Sequence, residues 1–275
     1  MRASLHNANR TVMLPSATPA LDLLQSISLV ARHRGPAELG PTEHGMLRDT
    51  VSYMRALSAG DVLVRANRPA TESAILLQGA LARVVNAQDG RRQIVALHMP
   101  GDFVDLHSLL LQHLDHDIVA LKASTVAMTP HAELSRLLRA QPTLANKLWY
   151  LTLTDAAVHR QWMFRVAATT AIERVANVLC EIDLRLMAIG QSDGHRFALH
   201  LTQAEMGEIC GVTSIHVNRV LRELREHGLC TWQGSQVDIH DLGRLCAVGG
   251  FCPDYLYYDA PLLDAFQQLA GEPRG

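Results

Sequence analysis

The stretch Leu201–Ile239, LTQAEMGEICGVTSIHVNRVLRELREHGLCTWQGSQVDI, decides how this chain is read. Thr202 and Glu205 have the spacing of a capping box, in which a hydroxyl and a returning carboxylate satisfy free N–H groups at a helix start. Met206 and Ile209 mark a buried face, and Gly211 supplies the turn that follows. A second helix is predicted from about Thr213, because Val217, Val220, Leu221 and Leu224 recur at i, i+3, i+4 and i+7. Gly228 is its expected stop. With those apolar residues inward, Ile215, Arg219, Arg222 and Glu226 face outward, flanked by His216, Asn218 and Glu223. The runs Leu229–Trp232 and Gln236–Ile239 then flank Gly234-Ser235, a tight-turn pair, and predict a hairpin.

Helix, turn, helix and β-hairpin in that order describe a winged helix-turn-helix, whose second helix enters the major groove of DNA. A generic capped helical pair shares the caps, the glycine and the apolar face. The hairpin is what favours the DNA-reading alternative.

Composition sets the frame. The 275 residues are enough for two cores, and 48% hydrophobic with 19% charged residues is ordinary for a globular protein. No apolar run is long enough to cross a membrane. The opening MRASLHNANRTVMLP lacks the apolar core and cleavage site of a signal peptide, so a cytoplasmic address is expected. A net charge of −2 gives no general support for nucleic-acid binding. Positive charge is instead concentrated on the second helix as Arg219, Arg222 and Arg225, diluted by Glu223 and Glu226. Moderate, strongly salt-dependent affinity follows. The cysteines, Cys180, Cys210, Cys230, Cys246 and Cys252, are odd in number and never spaced C-x-x-C, which argues against a zinc ribbon or a disulfide framework.

Upstream, Leu21–Ala31 could form a helix, and Thr42 could cap a short one carrying Met46, Leu47, Val51 and Met54. From about Leu57 short apolar runs alternate with turn residues: Val62–Val64, Ala74–Leu77, Leu81–Val85, Ile94–Leu97, Ile118–Ala123 and Val126–Met128. Asp89-Gly90 between two of them is a strong hairpin signal. The spacing predicts an antiparallel roll or barrel. His131–Arg139 reads as a helix, and a long helix starts near Thr143. Along it Leu144, Leu148, Leu151, Asp155, Val158 and Trp162 follow alternating steps of four and three. That is coiled-coil spacing, with packing against the chain's own domain as the equal alternative. Ile172, Val175, Ala176, Leu179 and Ile182 mark a further helix, and Arg196–Leu199 a short strand.

Three segments, Leu201–Leu224, DGRRQIVALHMPGDFVDLHS (Asp89–Ser108) and AIERVANVLCEI (Ala171–Ile182), resemble the Crp/Fnr family of bacterial transcription regulators. The resemblance runs from about Pro41 to Leu245. It implies an α+β chain with an antiparallel β-roll of cyclic-nucleotide-binding type, a long dimerisation helix and a winged helix-turn-helix. The expected divisions are 1–40, an N-terminal segment; 41–142, the roll; 143–168, the long helix; 169–248, the DNA-binding domain; and 249–275, a tail. It further implies a homodimer on a palindromic double-stranded operator, with RNA polymerase as a partner. Carried over by position, Thr202 and Gln203 would hold phosphate and Arg219 would read guanine. Ser214, Ile215, His216, Asn218 and Arg222 are the neighbouring reading positions. Ile215 stands where the best-known members carry a glutamate, so an apolar contact with a thymine methyl replaces the expected reading of cytosine.

The sensory half departs further. Asp105-Leu106 replaces the Gly-Glu pair of cyclic-nucleotide binders, and no arginine occurs from Gly101 to Ser135 to neutralise a cyclic phosphate. Cyclic AMP is therefore not the expected effector, and the effector is unknown. No cysteine precedes Cys180, which excludes an N-terminal iron–sulfur cluster in this chain. His98, His107, His113 and His116, with Asp102, Asp105, Asp115 and Asp117, form the densest set of titratable residues. His113 and His116 are expected on one helix face. A solvated polar loop, a metal or haem sensor, and a metal-dependent enzyme of cupin type are the three readings of that set. No catalytic constellation, metal site or cofactor is expected.

Overall fold

The computed structural model describes residues 11–12 and 23–271. The signal-peptide reading and the first two residues of the Leu21–Ala31 helix fall mainly outside them. Residues 23–34 form a short helical turn, a 3-10 helix over Gln25–Leu29 and further turns, rather than one continuous helix.

Eight antiparallel strands make the roll. One sheet has the order β1 (Thr11–Val12), β2 (Tyr53–Leu57), β8 (Ser124–Pro130), β4 (Glu72–Gln78). The other runs β3 (Val62–Val64), β7 (Asp117–Ala120), β5 (Leu81–Asn86), β6 (Arg92–His98). Leu57, Leu76, Leu81, Ile118 and Val126 are buried together between them. Each lies on an alternating inward position of its strand, and burial of such side chains contributes about 1.5–3 kcal/mol apiece. Asp89-Gly90 turns β5 into β6 as predicted, with Asn86 opposite Arg92 and Gly90 at φ 83°.

The structure corrects the N-terminal helix. It spans Pro41–Asp49, and Gly40 rather than Thr42 caps it, its N–H donating to Glu43 at 2.8 Å. Met54 belongs not to that helix but to β2, where the backbone is claimed by pairing with β8. Residues before Gly40 are not peripheral, since Ile27, Val30 and Leu39 pack with Leu134, Leu144 and Leu148 against the roll.

A helix over His131–Ala140 leads into the long helix, Pro142–Ala168. At 27 residues the latter is about 40 Å long. The predicted seam turns out to face its own chain. Leu144 and Leu148 are buried against the roll, Asp155 pairs with Arg83 at 2.5 Å, and Trp162 donates to Glu181 at 3.0 Å. The outward stripe is Asn146, Trp149, Leu153, Ala156, Arg160, Met163 and Ala167, which has the same alternating spacing and is wholly exposed. Trp149, Leu153 and Met163 expose 64, 53 and 73% of their surface.

The second half is built on the helix Ala171–Ala188, opened by the Thr170–Glu173 capping box. Its apolar face joins Met206, Ile209, Val217, Val220 and Leu224 to Ala82, Val84, Ile94 and Leu97 on the roll in one continuous core. The segment expected as a tail is folded. Helices Pro253–Leu256 and Ala260–Gly271 bury Leu256, Leu262 and Phe266 in that core. They also reach the N-terminal segment, where Arg34 lies 4.1 Å over the Tyr258 ring and His33 Nδ1 sits 3.1 Å from Asp259.

Candidate nucleic-acid interface

The reading unit is assembled from two short helices, Gln203–Cys210 and Ser214–Glu226. Thr202 accepts from the Glu205 N–H at 3.1 Å, and its own N–H donates to the Glu205 carboxylate at 2.7 Å. The Thr202 hydroxyl also donates to Glu205 at 2.9 Å, so this side chain is already committed to the cap. Gly211, at φ 66°, closes the first helix in the left-handed conformation that a side chain would strain. Thr213 caps the second helix by accepting from the His216 N–H at 3.3 Å.

One requirement was not read from the sequence. A Cβ on Gly207 would lie 2.5 Å from the Val212 carbonyl oxygen, so glycine is what lets the turn fold back on the first helix. Arg174 was missed as well. It donates to the Thr169 carbonyl at 2.7 and 3.0 Å and to the Cys210 carbonyl at 2.9 Å, fixing the first helix to the end of the long one. No periodicity marks an arginine whose partners are main-chain oxygens, one of them 36 positions away.

Val217, Val220 and Leu224 are buried under the second helix, which leaves Ser214, Ile215, Asn218, Arg219 and Arg222 exposed. Ile215 exposes 82% of its surface, an uncompensated apolar side chain at the tip of the face. His216 is half-buried, and its Nε2 accepts from Arg219 at 2.8 Å. Asn218 donates to the Gln203 side chain at 3.2 Å, joining the two helices across the outer surface. Arg222 has Glu226 4.0 Å away, which offsets part of its charge. These outward groups thus form one polar face with Ile215 among them. The hairpin follows as β10 (Cys230–Gln233) and β11 (Gln236–Ile239), turning at Gly234, and the predicted strand upstream, β9 (Arg196–Ala198), adds to β11.

The unit is docked on the roll. The Gln93 amide donates to the Glu208 carbonyl, and Arg92 pairs with the Glu208 carboxylate at 3.4 Å. In the roll itself Arg83 reaches inward from β5 and donates to the Val104 carbonyl at 3.0 Å as well as to Asp155. It is a buried arginine whose charge is already matched. Asp105 is buried, with one oxygen accepting from the Ala74 N–H at 2.7 Å. Burial pushes its carboxyl up to about 7, against the lowering effect of that bond.

The histidines do not converge. The helix begun at Ser108 stops at Leu111, and Gln112 adopts φ 63°, so the helix face expected to carry both His113 and His116 does not form. His113 bridges to Pro69, whereas His116 stacks at 5.6 Å on His107 and approaches Asp115 at 2.8 Å. Burial lowers His98, His107 and His116, His107 to about 4. Among the described residues no three His, Cys, Asp or Glu side chains are grouped to hold a metal ion.

Comparison with known proteins agrees with this architecture half by half. The profile of the Crp-like helix-turn-helix domain matches residues 173–248, and that of the cyclic nucleotide-binding domain matches residues 54–141. The chain belongs to the Crp/Fnr family. It is 28% identical over 215 residues to the transcriptional activator protein anr of Pseudomonas aeruginosa, covering 78% of this chain and 88% of that one. It is 27% identical over 219 residues to FnrA of Stutzerimonas stutzeri, covering 80 and 89%. The structure of FixK2 from Bradyrhizobium japonicum superposes with a TM-score of 0.66 at 26% identity, over 71% of this chain and 96% of that one. This Crp/Fnr protein is a DNA-binding transcription regulator with a helix-turn-helix output unit. The cupin-like enzyme and metal-sensor alternatives lose their support with the dispersed histidines. Among the described residues no helix is long and apolar enough to cross a membrane.

Proposed function

We propose that two copies of this Crp/Fnr regulator pair along the long helix and read a palindromic operator in the cytoplasm, without catalysing a reaction. The observation that carries the reading is the outward face of Ser214–Glu226, with Arg219 exposed at its centre. In this reading Arg219 recognises guanine, and Ile215 lies against a thymine methyl. Ser214, His216, Asn218 and Arg222 contribute at neighbouring positions. Gln203 and the main-chain N–H groups of Gln203 and Ala204 hold phosphate at the turn that Thr202 caps, because the Thr202 hydroxyl and N–H are both occupied by Glu205. The exposed Trp149–Leu153–Met163 stripe supports the homodimer, since a heptad-spaced apolar face on a 27-residue helix suits a second copy of itself. Half-sites about one helical turn apart follow from that pairing. Residues 41–142, 143–168 and 169–248 then act as sensor, dimer helix and reader, and RNA polymerase is the partner through which bound protein acts.

Cyclic AMP is not the effector in this reading, because Arg83 is neutralised by Asp155 and Asp105 is buried within the roll. Selection of bound DNA from a random pool tests the whole. The expected product is an inverted repeat with G·C and T·A pairs in each half-site. Recovery of sequences with no common half-site would overturn it.

A further inference from the structure

Between the roll and the reading half lies a cavity of about 320 Å³. That is within the range of small-molecule pockets, roughly 300–1,000 Å³. Leu97 and Met99 form its roll side, and Ile182, Leu186 and Leu199 its other side. The walls are therefore largely apolar and come from both halves of the chain.

Of the three basic side chains on the same lining, His98 lies 3.7 Å from Asp102, which leaves Lys122 and His200. Neither side chain has a hydrogen bond or ion pair among the described residues, and no Asp or Glu lines the cavity. Lys122 is half-buried, and burial alone accounts for the lowering of its ammonium pKa. His200 is lowered by burial and then by the Lys122 charge, with no acid to oppose either effect. Elsewhere the buried cations of this protein are matched: Arg83 by Asp155, Arg165 by Glu181, and Arg185 by Asp102 and Glu181. Lys122, half-buried, and His200, exposed, instead stand at the edge of an apolar cavity with no acid on its lining, and their complement is one negative charge on an apolar body.

We propose that this cavity binds a small monocarboxylate with an apolar body, its carboxylate between Lys122 and His200 and its body against Leu97, Ile182 and Leu186. The site is separate from the inward face of the roll where Arg83 and Asp105 lie. Because the walls come from both halves, an occupant favours the arrangement in which they meet.

The test is calorimetric titration of the full chain with octanoate, and with octanol as its uncharged counterpart, in the absence of DNA. Failure here is thus distinct from failure of the DNA-binding reading. The expected result is one octanoate per chain and weaker binding of octanol. Lys122→Met should weaken octanoate by roughly tenfold, and His200→Ala by less, with thermal unfolding unchanged in both. Both substitutions are at exposed or half-buried positions, so folding is retained. The proposal is overturned if octanoate does not bind at millimolar concentration, if Lys122→Met binds it as the parent does, or if octanol binds equally well.

Discussion

Arg185, on the helix Ala171–Ala188, donates to the Asp102 carboxylate of the roll at 3.0 Å. The same guanidinium donates to the Leu97 carbonyl at 2.8 Å and lies 3.5 Å from Glu181. Burial opposes the charge on Asp102, yet His98, Arg185 and the Met99 N–H outweigh it and hold the carboxyl at about 2. One arginine thus joins the roll to the helix-turn-helix half within a network that also contains Arg165, Trp162 and Tyr255 around Glu181.

Removing that arginine takes a donor from Asp102, Glu181 and the Leu97 carbonyl, although Asp102 and Glu181 keep others. Arg185→Ala should destabilise the chain by about 1.5–3 kcal/mol, the usual worth of hydrogen bonds to a charged group, because Asp102 is partly exposed. Urea unfolding checks the magnitude. A double-mutant cycle with Asp102→Asn checks the pairing, and additivity of the two losses would refute it.

The exposed stripe of the long helix gives a second prediction. Leu153→Glu or Met163→Glu should yield a folded monomer, because neither side chain is needed by the chain's own core. Sedimentation equilibrium reads the mass, and circular dichroism confirms the fold. The monomer should lose operator binding far more than nonspecific binding, since one half-site remains where two were read.

Spacing alone could not choose between the two stripes of this helix. Leu144–Leu148–Leu151–Asp155 and Trp149–Leu153–Ala156–Arg160 both advance by alternating fours and threes, and only the partner surface decides which is covered. The winged helix-turn-helix was legible because its caps, glycine turn and apolar periodicity are local. The Arg83–Asp155 and Arg185–Asp102 pairs were not, because they join residues 72 and 83 positions apart. Met54 shows a third limit: its strand is fixed by pairing with β8, not by its own neighbours.

Base reading and phosphate holding should separate by mutation. Arg219→Ala should remove about 1–3 kcal/mol of preference for its base pair, whereas Gln203→Ala should weaken all sequences more evenly. Ile215→Glu should restore a cytosine-accepting side chain and move the selected half-site at that step. Competition gel shifts across single-base operator variants check all three. Equal loss of specific and nonspecific binding in Arg219→Ala would contradict its assignment.

Stability should depend on pH through two opposing sets of groups. Asp105 and Asp183 are both pushed up to about 7 by burial, so the folded state holds their protons more tightly than the unfolded chain. Their contribution is complete below about pH 4 and is lost as pH rises through 7, at about 1.4 kcal/mol per unit and group. His98, His107 and His116 act the other way, since burial lowers them and the folded state binds fewer of their protons. Their contribution rises with pH up to about 6.5. The variant Asp105→Asn/Asp183→Asn should therefore gain stability more steeply than the parent between about pH 4.5 and 6.5. Urea midpoints across that window provide the measurement, and parallel curves would contradict the elevated carboxyls.

The C-terminal segment offers the last test. Ending the chain after Gly250 removes Leu256, Leu262 and Phe266 from the shared core, and with them the contacts of Tyr258 and Asp259 to Arg34 and His33. Loss of a single large buried side chain of this kind costs about 2–5 kcal/mol, so the truncated protein should be largely unfolded. The gentler Asp259→Asn leaves the core in place and weakens the link to His33, while the amide oxygen can still accept from the Leu262 N–H at the start of the last helix. It should preserve the unfolding temperature within a few degrees while increasing hydrogen exchange over residues 253–271. A truncated chain that melts with the parent would show this segment to be the peripheral tail that its position first suggested.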